Sequence, residues 1–292
     1  MPNDYYGLPV ERIENEHVAV EYLTTAGPRI VRLFLHGEER NLLAETPQNG
    51  WETPYGPYRL YGGHRLWIAP EKSPETSLPD NDPVAVEPIV RGVRLTQRTA
   101  PLTRLTKSLE VQLATDGPRV TVTHGVKNDG VTPCELALWG ITELPLGGYA
   151  FFPCPNEPRE DLPLAPNRHI ALWPCSRWTD PRLELEEDLI TIRGEAGLPS
   201  YKVGYLSHHG KVAYLNDTVM FVKEFAPEPD KPHADMNCNA EVYVNDQYLE
   251  LETLGPLVRL EPGESTRYVE AWTLYRGVWT AEDIIELFEL KR

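Results

Sequence analysis

The sequence predicts an all-β fold, an antiparallel sandwich or barrel, from three observations. Apolar residues recur with a period of two in many short runs, turn signals separate those runs, and no long helical stretches alternate with them. In HVAVEYL (17–23), Val18, Val20 and Tyr22 alternate with Ala19 and Glu21. In LTKSLEVQLA (105–114), Leu105, Leu109, Val111 and Leu113 take the odd positions, and Lys107 interrupts the series. RVTVTHGVKN (119–128) sets Val120, Val122, His124 and Val126 on one face. TVMFVKEF (218–225) and TRYVEAWTLY (266–275) have the β-branched and aromatic density of strands. TDGP, NDG, HHG, VND and PGE supply the turns between runs. One helix is expected, at the C-terminal end, with Thr280 as its cap, Asp283 three residues on, and Ile284, Ile285, Leu287 and Phe288 as its apolar set.

The chain has 292 residues, 41% hydrophobic and 25% charged, which suits a globular protein of one large domain or two small ones. Lys and Arg number 28 against 44 Asp and Glu, a net charge of −16. A surface that acidic repels phosphate backbones and anionic lipid, which argues against nucleic-acid and membrane partners. It leaves a neutral small molecule, or an anion held in a local basic pocket. No apolar run is long enough to span a membrane, and MPNDYYGLPV lacks the pattern of a secretory signal, so a cytoplasmic location is expected. Cys134, Cys154, Cys175 and Cys238 lie far apart without zinc-type spacing and read as free thiols, with no metal expected. Prolines cluster from Pro70 to Pro88 and from Pro153 to Pro181, which predicts long rigid loops over the sheets.

Three stretches carry side chains suited to chemistry. YGGHRLWIAPE (61–71) runs a glycine pair into His64, Arg65, Trp67 and Glu71, groups that handle protons, anions and flat apolar rings. In YLELETLGP (248–256), alternation sets Tyr248, Glu250 and Glu252 on one face and Leu249 and Leu251 on the other. CNAEVYV (238–244) puts Glu241 and Tyr243 on a shared face. His124 lies on the apolar face of its run and reads as a core histidine, while His208-His209 reads as a polar turn.

LETLGPLVRLEPGESTRYVEAWTLY (251–275) resembles the end of the galactose-mutarotase-like superfamily, the aldose 1-epimerases and their relatives, with Leu251-Glu252-Thr253, then Pro262-Gly263-Glu264, then a final aromatic strand. KNDGVTPCELALWGITELPLGG (127–148) is similar to the superfamily's middle segment, and GGHRLWIAPE, CNAEVY and LELETLGP look most like a bacterial branch of it. The resemblance runs from about residue 15 to 275. It implies a large antiparallel β supersandwich, one domain over residues 1–292, with a carbohydrate site on its concave face. No cofactor is implied, and the partner is a small sugar or sugar acid for a monomer or homodimer. The implied reaction needs a base and an acid on opposite sides of one pyranose. Glu252 falls where the resemblance places the base.

The usual acid, a histidine of the middle segment, has no counterpart here, for Trp139 and Gly140 stand in its place. Either His64 or His124 supplies the acid from elsewhere, or the protein binds sugars without turning them over, with Trp139 stacking on an apolar sugar face. The resemblance thus expects Glu252 and His64 as catalytic residues and Arg65, Trp67, Glu71, Trp139, Glu241 and His124 as substrate-binding ones. In the hexose-phosphate epimerases an arginine precedes such a glycine pair. Tyr61 precedes it here, and Arg65 follows as a fork for a carboxylate or phosphate. An aldose-1-epimerase-like isomerase, a non-catalytic carbohydrate-binding protein and a domain associated with polysaccharide-degrading enzymes are the three functions left open.

Overall fold

The computed structural model describes residues 4–38, 40–154 and 164–289. Among these, two large antiparallel sheets pack face to face. The first, of eleven strands, runs in the order Asp4–Tyr5, Leu8–Glu14, Val18–Leu23, Arg29–Leu35, His64–Ala69, Cys134–Pro145, Tyr248–Leu254, Ala240–Val244, Tyr201–Tyr205 and Ile170–Leu172, with Val258–Leu260 also paired to Cys134–Pro145. The second, of ten, runs Leu183–Leu185, Leu189–Arg193, Tyr149–Pro153, Lys211–Asn216, Val219–Phe225, Ser265–Arg276, Arg119–Asn128, Leu105–Leu113, Gly92–Thr96 and Ala85–Ile89. A two-stranded ribbon, Glu45–Thr53 with Gly56–Gly62, stands apart from both. The all-β expectation holds. The proline-rich stretch from Pro153 to Pro181 falls partly outside the described residues.

Strand alternation builds the core. Leu66, Leu138, Leu249, Leu251 and Val203 from the first sheet meet Leu109, Val111, Val122, Phe221 and Trp272 from the second, all buried. Each such side chain contributes about 1.5–3 kcal/mol by leaving water. The outer face of the second sheet is covered by the helix Ala281–Leu287, whose Ile284 packs with Phe288 on Phe151, Met220 and Val222. That helix has the expected capping box: the Thr280 hydroxyl accepts from the Asp283 N–H and the Asp283 carboxylate accepts from the Thr280 N–H.

Gly62-Gly63 carries the chain from the ribbon into the first sheet. Their φ values are 80° and 68°, in the left-handed region. A Cβ on Gly63 would stand 2.0 Å from the Ile30 carbonyl oxygen, and one on Gly62 would stand 2.3 Å from that of Ala44. Gly63 also donates to Ala44 O at 2.9 Å and accepts from Glu143 N at 2.7 Å, so backbone is wedged between backbone. Gly63→Ala therefore combines overpacking with a strained φ. It should destabilise the fold by more than about 2 kcal/mol, read as a lowered urea midpoint at unchanged m-value.

Between the sheets lies a fully buried polar cluster. His124 Nδ1 is 3.1 Å from Tyr268 O, an acceptor only, so this nitrogen carries the proton. Its Nε2 then accepts from His64 Nε2, 2.8 Å away, and His64 Nδ1 accepts from the Thr142 hydroxyl at 2.9 Å. The tautomers follow from the partners. Beside them Glu270 receives Lys223 at 3.2 Å and Trp272 Nε1 at 2.7 Å, together with the Thr253 hydroxyl. His64, His124 and Glu270 bring three metal-ligating atoms within 4.8 Å of one another, yet each is already engaged by protein groups.

Burial lowers both imidazole pKa values, and for His64 the neighbouring His124 lowers it further. Each of these imidazoles therefore binds fewer protons in the fold than in the unfolded chain below about pH 6.5, the ordinary imidazole value. Their contribution to stability is full above that pH and falls as pH drops below it, by up to about 1.4 kcal/mol per pH unit for each imidazole. Buried carboxyls of the first sheet with raised pKa, Glu143 among them, pull the other way, so the loss is read as a difference. The gap in urea midpoint between wild type and His64→Gln should shift in favour of the variant from pH 7.5 to pH 5.5.

Candidate functional site

The other face of the first sheet carries the site. In the register of its central strands, Trp139 lies opposite Trp67 and Ile141 opposite both Arg65 and Glu252. Glu143 lies opposite Glu250, Glu252 opposite Glu241, Glu250 opposite Tyr243, and Tyr243 opposite Lys202. Directly paired residues share a face, so these side chains form three parallel rows across five strands.

Two cations anchor the rows. The Arg65 guanidinium donates to Glu143 Oε1 and to Glu250 Oε1, each at 2.6 Å, and lies 4.7 Å over the Trp67 ring. The second oxygen of Glu143 accepts from the Thr46 hydroxyl at 2.7 Å. Lys202 Nζ lies 2.8 Å from Glu241 Oε2 and 2.9 Å from Glu252 Oε2, and Trp139 Nε1 donates to that same Glu252 oxygen at 2.8 Å. The ammonium also sits between two indoles, 4.4 Å from the Trp139 ring and 4.7 Å from that of Trp173.

Each cation is thus shared by two buried carboxylates. Burial pushes the Glu143 carboxyl up to about 7 against the pull of Arg65. It raises Glu250 in the same way and Glu241 strongly, the latter against Lys202 and with help from the Glu252 charge. On Lys202 burial disfavours the charge, but Glu241 and Glu252 outweigh it and hold the ammonium protonated. A raised carboxyl pKa favours proton uptake in each cluster, which reduces the excess of negative charge around each cation.

Above this floor opens a cleft of about 310 Å³. Its walls include Trp51 from the ribbon, Trp173 and Cys175 from the segment after Ile170–Leu172, and Glu71, Tyr243 and Tyr248. Trp51 is 42% exposed at the mouth, where it meets Trp67 edge-on at 6.3 Å and Tyr58 at 5.0 Å. Beside the cleft face, Ala234 packs with its aromatic residues, and Asp235, Met236 and Asn237 follow in a left-handed turn with φ of 50°, 60° and 69°.

The residues expected from the sequence separate into two groups. Arg65, Trp67, Glu71 and Trp139 line the cleft. Glu252 and Glu241 share its face but are fully buried in the floor, beneath Lys202. His64 and His124 do not join them. His64 precedes Arg65 on a strand, so its side chain points the opposite way, into the inter-sheet core with His124. The expected pairing of Glu252 with either histidine across one ligand is therefore not formed. Glu143, Lys202, Trp51 and Trp173 escaped the sequence reading. Lys202 and Glu143 are single charges in otherwise strand-like runs, and their places depend on which strands become neighbours.

No protein-family model matches the sequence, and neither does any curated protein. Solved structures do match the fold. A galactose mutarotase-like protein from Lactobacillus casei ATCC 334 aligns over 91% of this chain and 100% of its own, with a TM-score of 0.55 at 12% identity. A galactose mutarotase related enzyme from Lactobacillus acidophilus aligns over 92% and 98%, with a TM-score of 0.56 at 12% identity. A TPR-domain containing protein from Parabacteroides distasonis ATCC 8503 aligns over 94% of this chain and 48% of its own, with a TM-score of 0.62 at 14% identity. Together with the two packed antiparallel sheets, these likenesses give the chain the galactose-mutarotase-like β-sandwich fold.

Proposed function

We propose that the chain binds a neutral sugar in the cleft of its first sheet. The observation that carries this reading is the combination of indole walls with a floor whose two cations are each held by two carboxyl groups. Indole faces suit the apolar face of a pyranose, and Glu250, Glu71 and Tyr243 offer partners for hydroxyls. Arg65 and Lys202 are each held by two carboxylates, so among the described residues neither cation of the floor is left for a carboxylate or phosphate on the ligand. A sugar acid or sugar phosphate would have to displace those pairs and leave buried carboxylates behind.

The reading is one of binding rather than turnover. Proton exchange at an anomeric centre needs an acid and a base converging on one ring. Glu252 is tied to Lys202 and Trp139, and the histidines lie on the opposite side of the sheet.

Ligand-observed NMR over a panel of aldoses tests the proposal. Neutral hexoses should bind, while uronic acids and hexose phosphates should bind at least about tenfold more weakly. Trp51→Ala or Trp173→Ala should weaken the neutral ligand by about 3- to 10-fold. Tighter binding of the anionic sugars would sink the neutral assignment. The same tubes report α/β exchange, expected to remain at the uncatalysed rate. Accelerated exchange that Glu252→Gln abolishes, with binding retained, would replace the binding reading with an isomerase.

A further inference from the structure

Lys107 occupies an inward position of Leu105–Leu113, where the sequence breaks its apolar series. Its neighbours on that face, Leu105, Leu109 and Val111, belong to the inter-sheet core. Across from it, His64–Ala69 pairs with Arg29–Leu35 only at His64 and Arg65, so the edge from Leu66 onward has no strand on that side. The segment after Pro70 and the loop around Leu102 cover this gap without filling it. They leave a cavity of about 500 Å³, lined by Ile68, Leu78, Leu102, Leu105 and Leu136 among others, with Lys107 in its wall.

The ammonium of Lys107 is under-satisfied there. It donates to Leu66 O at a long 3.4 Å, leaving two of its three N–H groups to other partners. Among the described residues no carboxylate lies within 4.0 Å of it. Asp80, also in the lining, is held by Arg29 at 3.1 Å. Glu75, Glu135 and Lys72 are exposed parts of the lining and form no ion pair with it. Arg29, outside the lining, thus occupies Asp80 and leaves Lys107 as the inner cation with no carboxylate within ion-pair distance, while Lys72, Glu75 and Glu135 at the exposed rim add a net negative charge. Burial, with Arg29 and Arg65, pulls the Lys107 ammonium down to about 8 against the attraction of Asp80, as befits a cation that lacks its anion.

We propose that this cavity is a second ligand site, separate from the cleft, which takes a small monocarboxylic acid with an aliphatic or aromatic body. The carboxylate pairs with Lys107, and the body lies against Leu105, Leu136 and Ile68. A half-buried ammonium gains from an anion with directed acceptors, and the apolar walls gain by shedding water. This assignment does not depend on the sugar-binding reading.

Calorimetry on the full chain with 4-methylvalerate, 4-phenylbutyrate and the uncharged 4-methylvaleramide tests it. The carboxylates should bind with submillimolar Kd and the amide at least about tenfold more weakly. Lys107→Met should remove the difference, and Trp51→Ala in the cleft should leave it intact. A second readout needs no variant: acetylation of Lys107 by limiting acetic anhydride, followed by mass spectrometry, should show a pH midpoint near 8. That labelling should be suppressed by the carboxylates and not by the amide. Equal binding of acid and amide, or no protection of Lys107 by either acid, overturns the proposal.

Discussion

The guanidinium of Arg65, held between Glu143 and Glu250, ties together three central strands that are far apart in sequence. A planar fork with donors on two sides can satisfy two carboxylates at once, which an ammonium does less directionally. Removing Arg65 would leave both acids in the floor without their shared cation, and breaking a buried pair costs about 3–5 kcal/mol. Trp67 lies beneath the guanidinium, Thr46 closes the far oxygen of Glu143, and the ribbon that carries Thr46 also presents Trp51. Lys202 repeats the device one step along the sheet with Glu241 and Glu252. Tyr248–Leu254 donates one acid to each cluster, so this strand couples the two halves of the floor.

Much of this was legible locally. The alternation in YLELETLGP places Tyr248, Glu250 and Glu252 on one face, and they share the cleft side. Thr280 and Asp283 announce the helix. His124 reads as a core residue and is one. The separation of His64 from Arg65 was also available, because consecutive strand residues point to opposite faces and His64 keeps step with Leu66 and Ile68. What no local pattern reveals is neighbourhood. Glu143 meets Arg65 across 78 residues and Lys202 meets Glu252 across 50, through pairings that depend on the whole sheet closing. A lone charge in a strand-like run is the visible trace of such a partner, and the run itself does not name it.

The fold is shared with mutarotase-like proteins at 12% identity, a level at which architecture persists and chemistry need not. Trp139 illustrates the point. An indole N–H only donates, so a tryptophan at this position can orient Glu252 but cannot pass a proton to a ring oxygen. The polar investment that a proton-transfer site would place around the ligand is here placed beneath it, in ion pairs, and on the far side of the sheet, in the histidine chain.

The pairing of both floor cations also bears on how a ligand would arrive. Unmatched cations in a cleft would draw anions in from a distance and make capture fall with added salt. Here the cations are matched within the floor, and the chain as a whole carries −16. The uncharged sugar proposed for this cleft would then approach by diffusion alone, with an association rate nearly indifferent to ionic strength. Anionic sugars meet two barriers of different range. The outer field fades over a Debye length of about 8 Å at physiological salt. The cost of displacing Glu250 or Glu252 from its cation persists at any salt, so discrimination at the floor should outlast discrimination at the surface.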